Sequence, residues 1–196
     1  MRTILLRPAM LAALVLAVFA SGCATVQVGE HQPSMDTVTS LREPGIGKLN
    51  VGEFALAKGV DPAIDRSISS RGAVINPPGA ATFSQYLKSA LTADLKAAGK
   101  FDPSSRLTVR GELTVSQLHT GISTGSATLA AHIYMLRDEN VVFDKVLRQE
   151  QEWPSSFVGM VAIPDAINHY TEQYSLLLAQ LYSDVSFRKA CATASP

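Results

Sequence analysis

The stretch ATFSQYLKSALTADLKAAGKFD, residues 81–102, decides the fold class, because it predicts an amphipathic helix with both ends marked. Thr82 and Gln85 form a capping box at the start, and Gly99 stands where a helix-terminating glycine belongs. Between them, apolar residues recur at helical spacing: Phe83, Tyr86, Leu87, Ala90, Leu91 and Leu95. Such a face has to be buried against another layer of secondary structure.

Segments in which apolar and polar residues alternate flank this helix and predict strands. The segment before the helix is KLNVGEFAL, residues 48–56. Three more follow it: RLTVRGELTVSQL at 106–118, ATLAAHIYMLR at 127–137 and NVVFDKVLRQEQEW at 140–153. The Gly-rich stretch HTGISTGS and the short stretch DEN separate these last three segments, which is typical of antiparallel hairpins.

A second amphipathic helix follows the last strand, and Pro164 is predicted at its first position, with Asp165 in its first turn. Its apolar stripe comprises Ile167, Tyr170, Tyr174, Leu177, Leu178 and Leu181. The predicted order is therefore β-α-β-β-β-α. This order indicates a two-layer α+β domain, with a largely antiparallel sheet and two amphipathic helices packed on one face.

The first residues have the anatomy of a secretion signal. Arg2 and Arg7 are followed by the uncharged apolar run 9–20 and then by small residues. The run is shorter than the roughly 20 residues that span a bilayer. Ala20-Ser21-Gly22-Cys23 resembles a bacterial lipobox, which implies cleavage between Gly22 and Cys23 and lipidation of Cys23. Ala24, where Asp would imply inner-membrane retention, implies the outer membrane of a Gram-negative bacterium, facing the periplasm.

The sequence thus predicts four parts: a signal peptide at 1–22, a lipidated N-terminus with a flexible tether at 23–47, one domain at 48–190 and a tail at 191–196. The tether prediction depends on a polar composition with scattered Pro and Gly. Residues 57–80, rich in Ser, Gly, Pro and Arg, predict a long irregular loop.

Composition and charge exclude several classes of function. The chain carries 17 basic and 17 acidic side chains without a charge run, which argues against nucleic-acid binding. Loss of Arg2 and Arg7 with the signal would leave a slightly acidic protein. His31, His119, His132 and His169 are not at metal-ligand spacing, so we expect no metal and no cofactor.

Cys191 has no partner for an internal disulfide once Cys23 carries lipid. It is either an intermolecular thiol or a cysteine of the weakly buried or frayed C-terminus.

One stretch matches a catalytic motif. Gly121-Ile122-Ser123-Thr124-Gly125 fits G-x-S-x-G, and Asp144 and His169 follow in the chain order of α/β-hydrolases. That motif requires a strand-to-helix turn, whereas here the following segment predicts a strand. The sequence therefore favours a hairpin loop at Ser123 and predicts no catalytic residue.

The connection from Trp153 to Ile163 is more apolar than a solvated loop, although Pro154 and Gly159 argue against regular structure there. It either covers one end of the core or forms a docking surface for a protein partner or lipid. We expect Trp153 to be structural, and we name Phe157, Val158 and Met160 as candidate partner contacts.

The lipobox and the order of elements, with the local stretches LKAAGKFD, LTVRGEL and SDVSF, resemble small outer-membrane lipoproteins of the YajG type. Auxiliary lipoproteins of ABC-type transport systems have a similar layout. The first resemblance implies a non-enzymatic lipoprotein that binds an envelope protein or supports envelope organisation. The second implies an accessory that binds an apolar ligand or a transporter subunit. A periplasmic serine hydrolase using Ser123 is a distant third hypothesis.

Overall fold

The computed structural model describes residues 24–79 and 81–192. The strands are β1 (Ala24–Gln27), β2 (Asn50–Leu56), β3 (Ile68–Ser70), β4 (Ala73–Asn76), β5 (Leu107–Thr120), β6 (Thr124–Arg137) and β7 (Asn140–Pro154). The helices are α1 (Met35–Arg42), α2 (Ala63–Arg66), α3 (Phe83–Ala97), α4 (Gly159–Ser183) and α5 (Val185–Ala192). The predicted α+β class is confirmed. The signal, Gly22 and Cys23 lie outside the described residues.

The main sheet has the strand order β2-β5-β6-β7. β5, β6 and β7 are joined by two short turns and pair antiparallel, whereas β2 runs parallel to β5. A parallel pair needs a crossover connection, and α3 lies between these two strands in the chain. Helices α3 and α4 contact this sheet. The sheet is therefore largely antiparallel, as the sequence predicts.

Helix α3 has the predicted bounds, although its capping box is only half formed. Thr82 Oγ1 accepts a hydrogen bond from the Gln85 amide at 3.3 Å. The Gln85 side chain, however, donates to the Phe54 carbonyl on β2 instead of returning to the cap. Gly99 ends the helix at φ +71°, a backbone angle that favours glycine. The whole predicted apolar face of α3 is buried.

A shift in register corrects the predicted alternation of β2. The sequence pattern places Val51 and Phe54 on opposite faces, whereas the structure buries both. The pairing of β2 with β5 shifts between these two residues, as at a β-bulge, so that both side chains reach the core. Phe54 lies over Gly111 of β5, where an added Cβ would collide with the phenyl ring.

Helix α4 begins at Gly159, more than one turn before the predicted start, and therefore has Pro164 in its interior. The predicted start at Pro164 is wrong. Proline has no N–H to give the carbonyl four residues earlier, that of Met160. Met160 lies in the exposed first turn, where water can take the place of the missing donor. The predicted apolar stripe of α4 packs into the core, with Ile167 half-buried at its edge.

A second sheet has the order β1-β4-β3, and two of its strands, β3 and β4, lie in the region predicted as an irregular loop, residues 57–80. β3 and β4 form a hairpin whose two turn residues, Arg71 and Gly72, both have positive φ. β1 pairs parallel with β4, so that Ala24 lies opposite Ala73. The Ser70 hydroxyl donates to Thr120 Oγ1 at 2.7 Å, which attaches this small sheet to the end of β5.

Residues 24–47 are folded onto the domain, which corrects the predicted flexible tether at 23–47. Leu41 and Ile46 are buried in the common core together with Val28. Asp94 of α3 accepts from Tyr182 at 3.0 Å and lies 2.8 Å from His31 Nε2. A segment with only a few apolar residues therefore packs tightly, because each of them reaches a core built by distant elements.

Candidate functional site

Ser123 lies in the tight turn between β5 and β6, not between a strand and a helix. Thr120 pairs with Gly125 across this turn, and the Ser123 carbonyl accepts from the Ser155 amide at 2.8 Å. The other two residues of the catalytic hypothesis have different partners. Asp144 bonds His132, and His169 stacks on Trp153 with ring centroids 4.2 Å apart. The turn therefore does not give Ser123 the position that a nucleophile elbow has.

His132 forms a small charged cluster on the main sheet. Its Nε2 lies 2.6 Å from Asp144 Oδ1, and its Nδ1 lies 3.7 Å from Glu112 Oε2. The hydrogen bond with Asp144 raises the pKa of His132, with a smaller contribution from Glu112. Within residues 24–79 and 81–192, no three His, Cys, Asp or Glu side chains are arranged to hold a metal ion. The cluster is a hydrogen-bonded group of side chains on the surface of the sheet.

Trp153, at the end of β7, belongs to the core and is only 6% exposed. Its indole ring covers Gly125 on β6 so closely that a Cβ there would collide with the ring. His169 of α4 stacks on the indole ring at an interplanar angle of 21°. Trp153 thus fills the space between the end of the sheet and the beginning of α4.

The connection between β7 and α4 is held by hydrogen bonds with two neighbouring turns and by one bond within itself. The Ser155 amide donates to the β5–β6 turn. Arg71 of the β3–β4 hairpin donates to the Ser156 carbonyl at 2.9 Å and to that of Phe157 at 3.4 Å. The Ser156 hydroxyl accepts from the Val158 amide at 3.1 Å. The backbone is therefore fixed on one side and presents its apolar side chains on the other.

Five apolar side chains are exposed at this end of the molecule, and together they are called the apolar tip: Ile122, Phe157, Val158, Met160 and Val161. Phe157 is 78% exposed and Met160 86%. The structure thus leaves all three predicted contact residues open, while their function as contacts stays a prediction. Ile122 is an additional member that the sequence does not connect with them. The only signal for Ile122 in the sequence is a large apolar residue in a Gly-rich turn.

The described chain begins at the same end of the molecule. Ala24 pairs with Ala73, which is two residues from Arg71, the residue that holds the Phe157 carbonyl. Neighbouring strands lie about 4.8 Å apart. Ala24, the first residue that the structure describes, therefore lies close to the apolar tip. No helix within the described residues has the length and apolar character needed to cross a membrane.

Other clefts lie along the helices. One of about 310 Å³ is bordered by Glu30, His31 and Tyr86, and another of about 650 Å³ lies between α1 and α4. At the first, Asp94 is buried and engages His31 and Tyr182. Burial raises the pKa of Tyr182 well above its usual value, so its hydroxyl remains a donor. This contact attaches the N-terminal segment to α3 and α4.

Comparison with known proteins shows the fold and no family. The chain resembles the crystal structure of protein XCC0632 from Xanthomonas campestris, a DUF330 protein, with a TM-score of 0.53 and 16% identity over 81% of this chain and 95% of the other. A protein from Caulobacter crescentus, described as a candidate lipoprotein, has a TM-score of 0.46 and 10% identity over 83% and 99%. No family model and no curated protein matches the sequence. The resemblance to YajG-type lipoproteins therefore stays a prediction.

Proposed function

We propose that this chain is an outer-membrane lipoprotein, lipidated on Cys23, whose domain lies directly at the periplasmic face of the membrane and acts by binding rather than by catalysis. The observation that carries the proposal is the position of β1, whose first residue follows Cys23 in the chain. Because β1 pairs with β4, the domain has no spacer between the predicted lipid and its first strand.

The sequence supports the lipid anchor independently of the fold. The charged n-region, the short apolar run and Ala20-Ser21-Gly22-Cys23 occur in the order that a lipoprotein signal requires. Two or more acyl chains on one residue give stable attachment, whereas a single chain gives only marginal binding. Ala24 in place of Asp supports the outer membrane as the destination.

The arrangement around Ser123 supports a binding protein over a hydrolase. A nucleophile needs a base within hydrogen-bond reach, which a third group orients in turn. His169 instead stacks on Trp153, and the carboxylate of Asp144 bonds His132. An envelope protein or an apolar ligand of a transport system remains the proposed partner. The two hypotheses differ in whether the gene neighbourhood encodes transporter subunits.

Replacement of Cys23 tests the anchor. Cys23→Ser should release the protein from membranes into the soluble fraction, and the mass of the mature wild-type N-terminus should include the lipid. Cys191→Ser is the matched control, because Cys191 is buried in the domain, and it should stay with the membrane. A Cys23→Ser protein that remains with membranes after a carbonate wash would contradict the proposal.

A further inference from the structure

We propose that the apolar tip enters the lipid bilayer beside the lipid of Cys23 and so sets the orientation of the domain on the membrane. This inference rests on the proposed function, since it takes the membrane to be the one in which the Cys23 lipid is anchored. The tip is then a second attachment to the same bilayer.

The first residue of β1 and the apolar tip lie at the same end of the molecule. Ala24 lies across from Ala73, and the hairpin turn next to Ala73 contacts the connection that carries Phe157. The same connection is bonded to the β5–β6 turn, which carries Ile122. A lipid on residue 23 would therefore leave the domain at the end where the five apolar side chains of the tip are exposed.

The two chain segments that carry the apolar tip have no charged residues. Residues 120–131 and 153–164, which build the β5–β6 turn and the connection into α4, contain no Asp, Glu, Lys or Arg. Charged groups are costly to bring into the apolar part of a membrane, and their absence from both segments lowers that cost. The charge beside them is that of Arg71, whose guanidinium is hydrogen-bonded to the carbonyls of Ser156 and Phe157. Large exposed apolar groups that stand together mark an interaction surface, since scattered single residues are the usual condition.

Hydrogen bonds hold the backbone of the apolar tip so that its side chains stay exposed. Arg71 and the Ser123 carbonyl fix the backbone of the connection, so that Phe157 and Val158 are not free to fold back onto the core. Met160 and Val161 follow in the first turn of α4 and are equally exposed. A loop whose backbone is already held by hydrogen bonds loses little further conformational entropy when its side chains enter a bilayer. The apolar tip can therefore enter the bilayer without a change in its backbone conformation.

A bilayer fits this end better than a protein does. With β1 starting immediately after Cys23, the membrane surface must lie beside the tip, and a protein partner would have to occupy the space between the two. Interfacial residues of this kind enter about 5–10 Å into the boundary of headgroups and acyl chains. That depth corresponds to a few side chains and one helical turn.

The consequence for orientation is measurable at the other end of the sheet. β6 has 14 residues, and at about 3.3 Å a residue it places the β6–β7 turn roughly 45 Å from the β5–β6 turn. Val141 is exposed next to that distant turn. It should therefore stay in water when the tip is in the membrane.

A single fluorescent probe on the lipidated full-length protein tests the inference. Met160→Cys is labelled with nitrobenzoxadiazole and reconstituted in vesicles of phosphatidylethanolamine and phosphatidylglycerol that carry a spin label on the acyl chains. Cys23 is blocked by lipid and Cys191 is buried, so position 160 is the accessible thiol. Val141→Cys is the matched control, another exposed apolar residue at the opposite end.

The expected result is a blue-shifted emission and strong quenching at position 160, with neither change at position 141. Equal, weak quenching at both positions would overturn the inference, as would crosslinking of position 160 to an envelope protein without quenching in vesicles. Flotation of the same vesicles separates the two proposals. Protein that floats without quenching at 160 contradicts the tip alone, whereas protein that does not float contradicts the Cys23 anchor.

A second variant guards against a misleading effect of the probe. Phe157→Asp in the Met160→Cys protein should remove most of the quenching, because it places a charge in the tip, while thermal unfolding stays unchanged since Phe157 is exposed. Replacement of phosphatidylglycerol by phosphatidylcholine should leave the quenching at 160 in place, because both tip segments are uncharged. Quenching that survives Phe157→Asp would overturn the inference.

Discussion

Cys191 illustrates how the environment of a single residue corrects both hypotheses that the sequence leaves open. The sequence allows an intermolecular thiol or a cysteine of a weakly buried or frayed tail at 191–196, whereas the structure places Cys191 inside α5 with 1% exposure. Burial raises the pKa of the thiol to about 12, against a weaker opposing influence of Arg188. A neutral, inaccessible thiol neither attacks a disulfide nor pairs with another chain.

We therefore predict that Cys191 in the native protein does not react with a maleimide at pH 8. Unfolding in guanidinium should expose it, and one label per chain should then be found by mass spectrometry if the proposed lipid blocks Cys23. The wild type labelled under native conditions, with Cys191→Ser as the unlabelled control, provides the comparison. Rapid stoichiometric labelling before unfolding would show that α5 opens and that the buried position is not maintained.

At the scale of elements, the strongly periodic parts of the chain could be predicted and the interrupted ones could not. β5 alternates between apolar and polar residues over 107–115, and β6 has apolar residues at every second position over 127–135, which a strand pattern identifies without tertiary information. The sequence does not predict the start of α4 at Gly159, because Gly159 and Pro164 both disfavour a helix interior. Both residues lower the stability of the helix only in its exposed first turns. Burial of the long apolar stripe after Pro164 stabilises the helix as a whole.

The junction of β7 and α4 gives a prediction for that element. Trp153→Ala should lower the free energy of unfolding by about 3–5 kcal/mol, the usual range for a buried aromatic side chain. Phe157→Ala, four residues later and exposed, should change it by less than about 0.5 kcal/mol. Urea unfolding of both variants measures the difference. Similar losses in the two would mean that the connection closes the core and that the tip is not free for contact.

At the scale of the whole molecule, the largest difference from the sequence prediction is the folded segment 24–47. Its apolar residues show no helical or strand period, so no local rule identifies it as structured. Leu41 and Ile46 find their partners in a core built by residues far away in the chain, information that a single sequence does not carry. The candidate site could be predicted only in part. Phe157, Val158 and Met160 lie within four residues of the chain, so the sequence shows them together. Ile122 joins them only through β-sheet pairing, which the sequence does not show.

If the segment is part of the folded unit, Leu41→Ala should lower the free energy of unfolding by about 2–5 kcal/mol, as for other buried leucines. Met35→Ala, in the same helix but 78% exposed, is the control and should have little effect. Thermal unfolding followed by circular dichroism measures both. Unchanged melting of Leu41→Ala would restore the flexible tether that the sequence predicts.

The pairing of β1 with β4 also determines what happens under mechanical load. If Cys23 carries the proposed lipid, a pull between the membrane and the domain would first meet the four residue pairs of this short parallel ladder. Once they part and α1 detaches, the 24 residues from 24 to 47 could extend to about 80 Å. The segment would then act as a reserve of chain length, released only when the tension is high enough to pull Leu41 and Ile46 out of the common core.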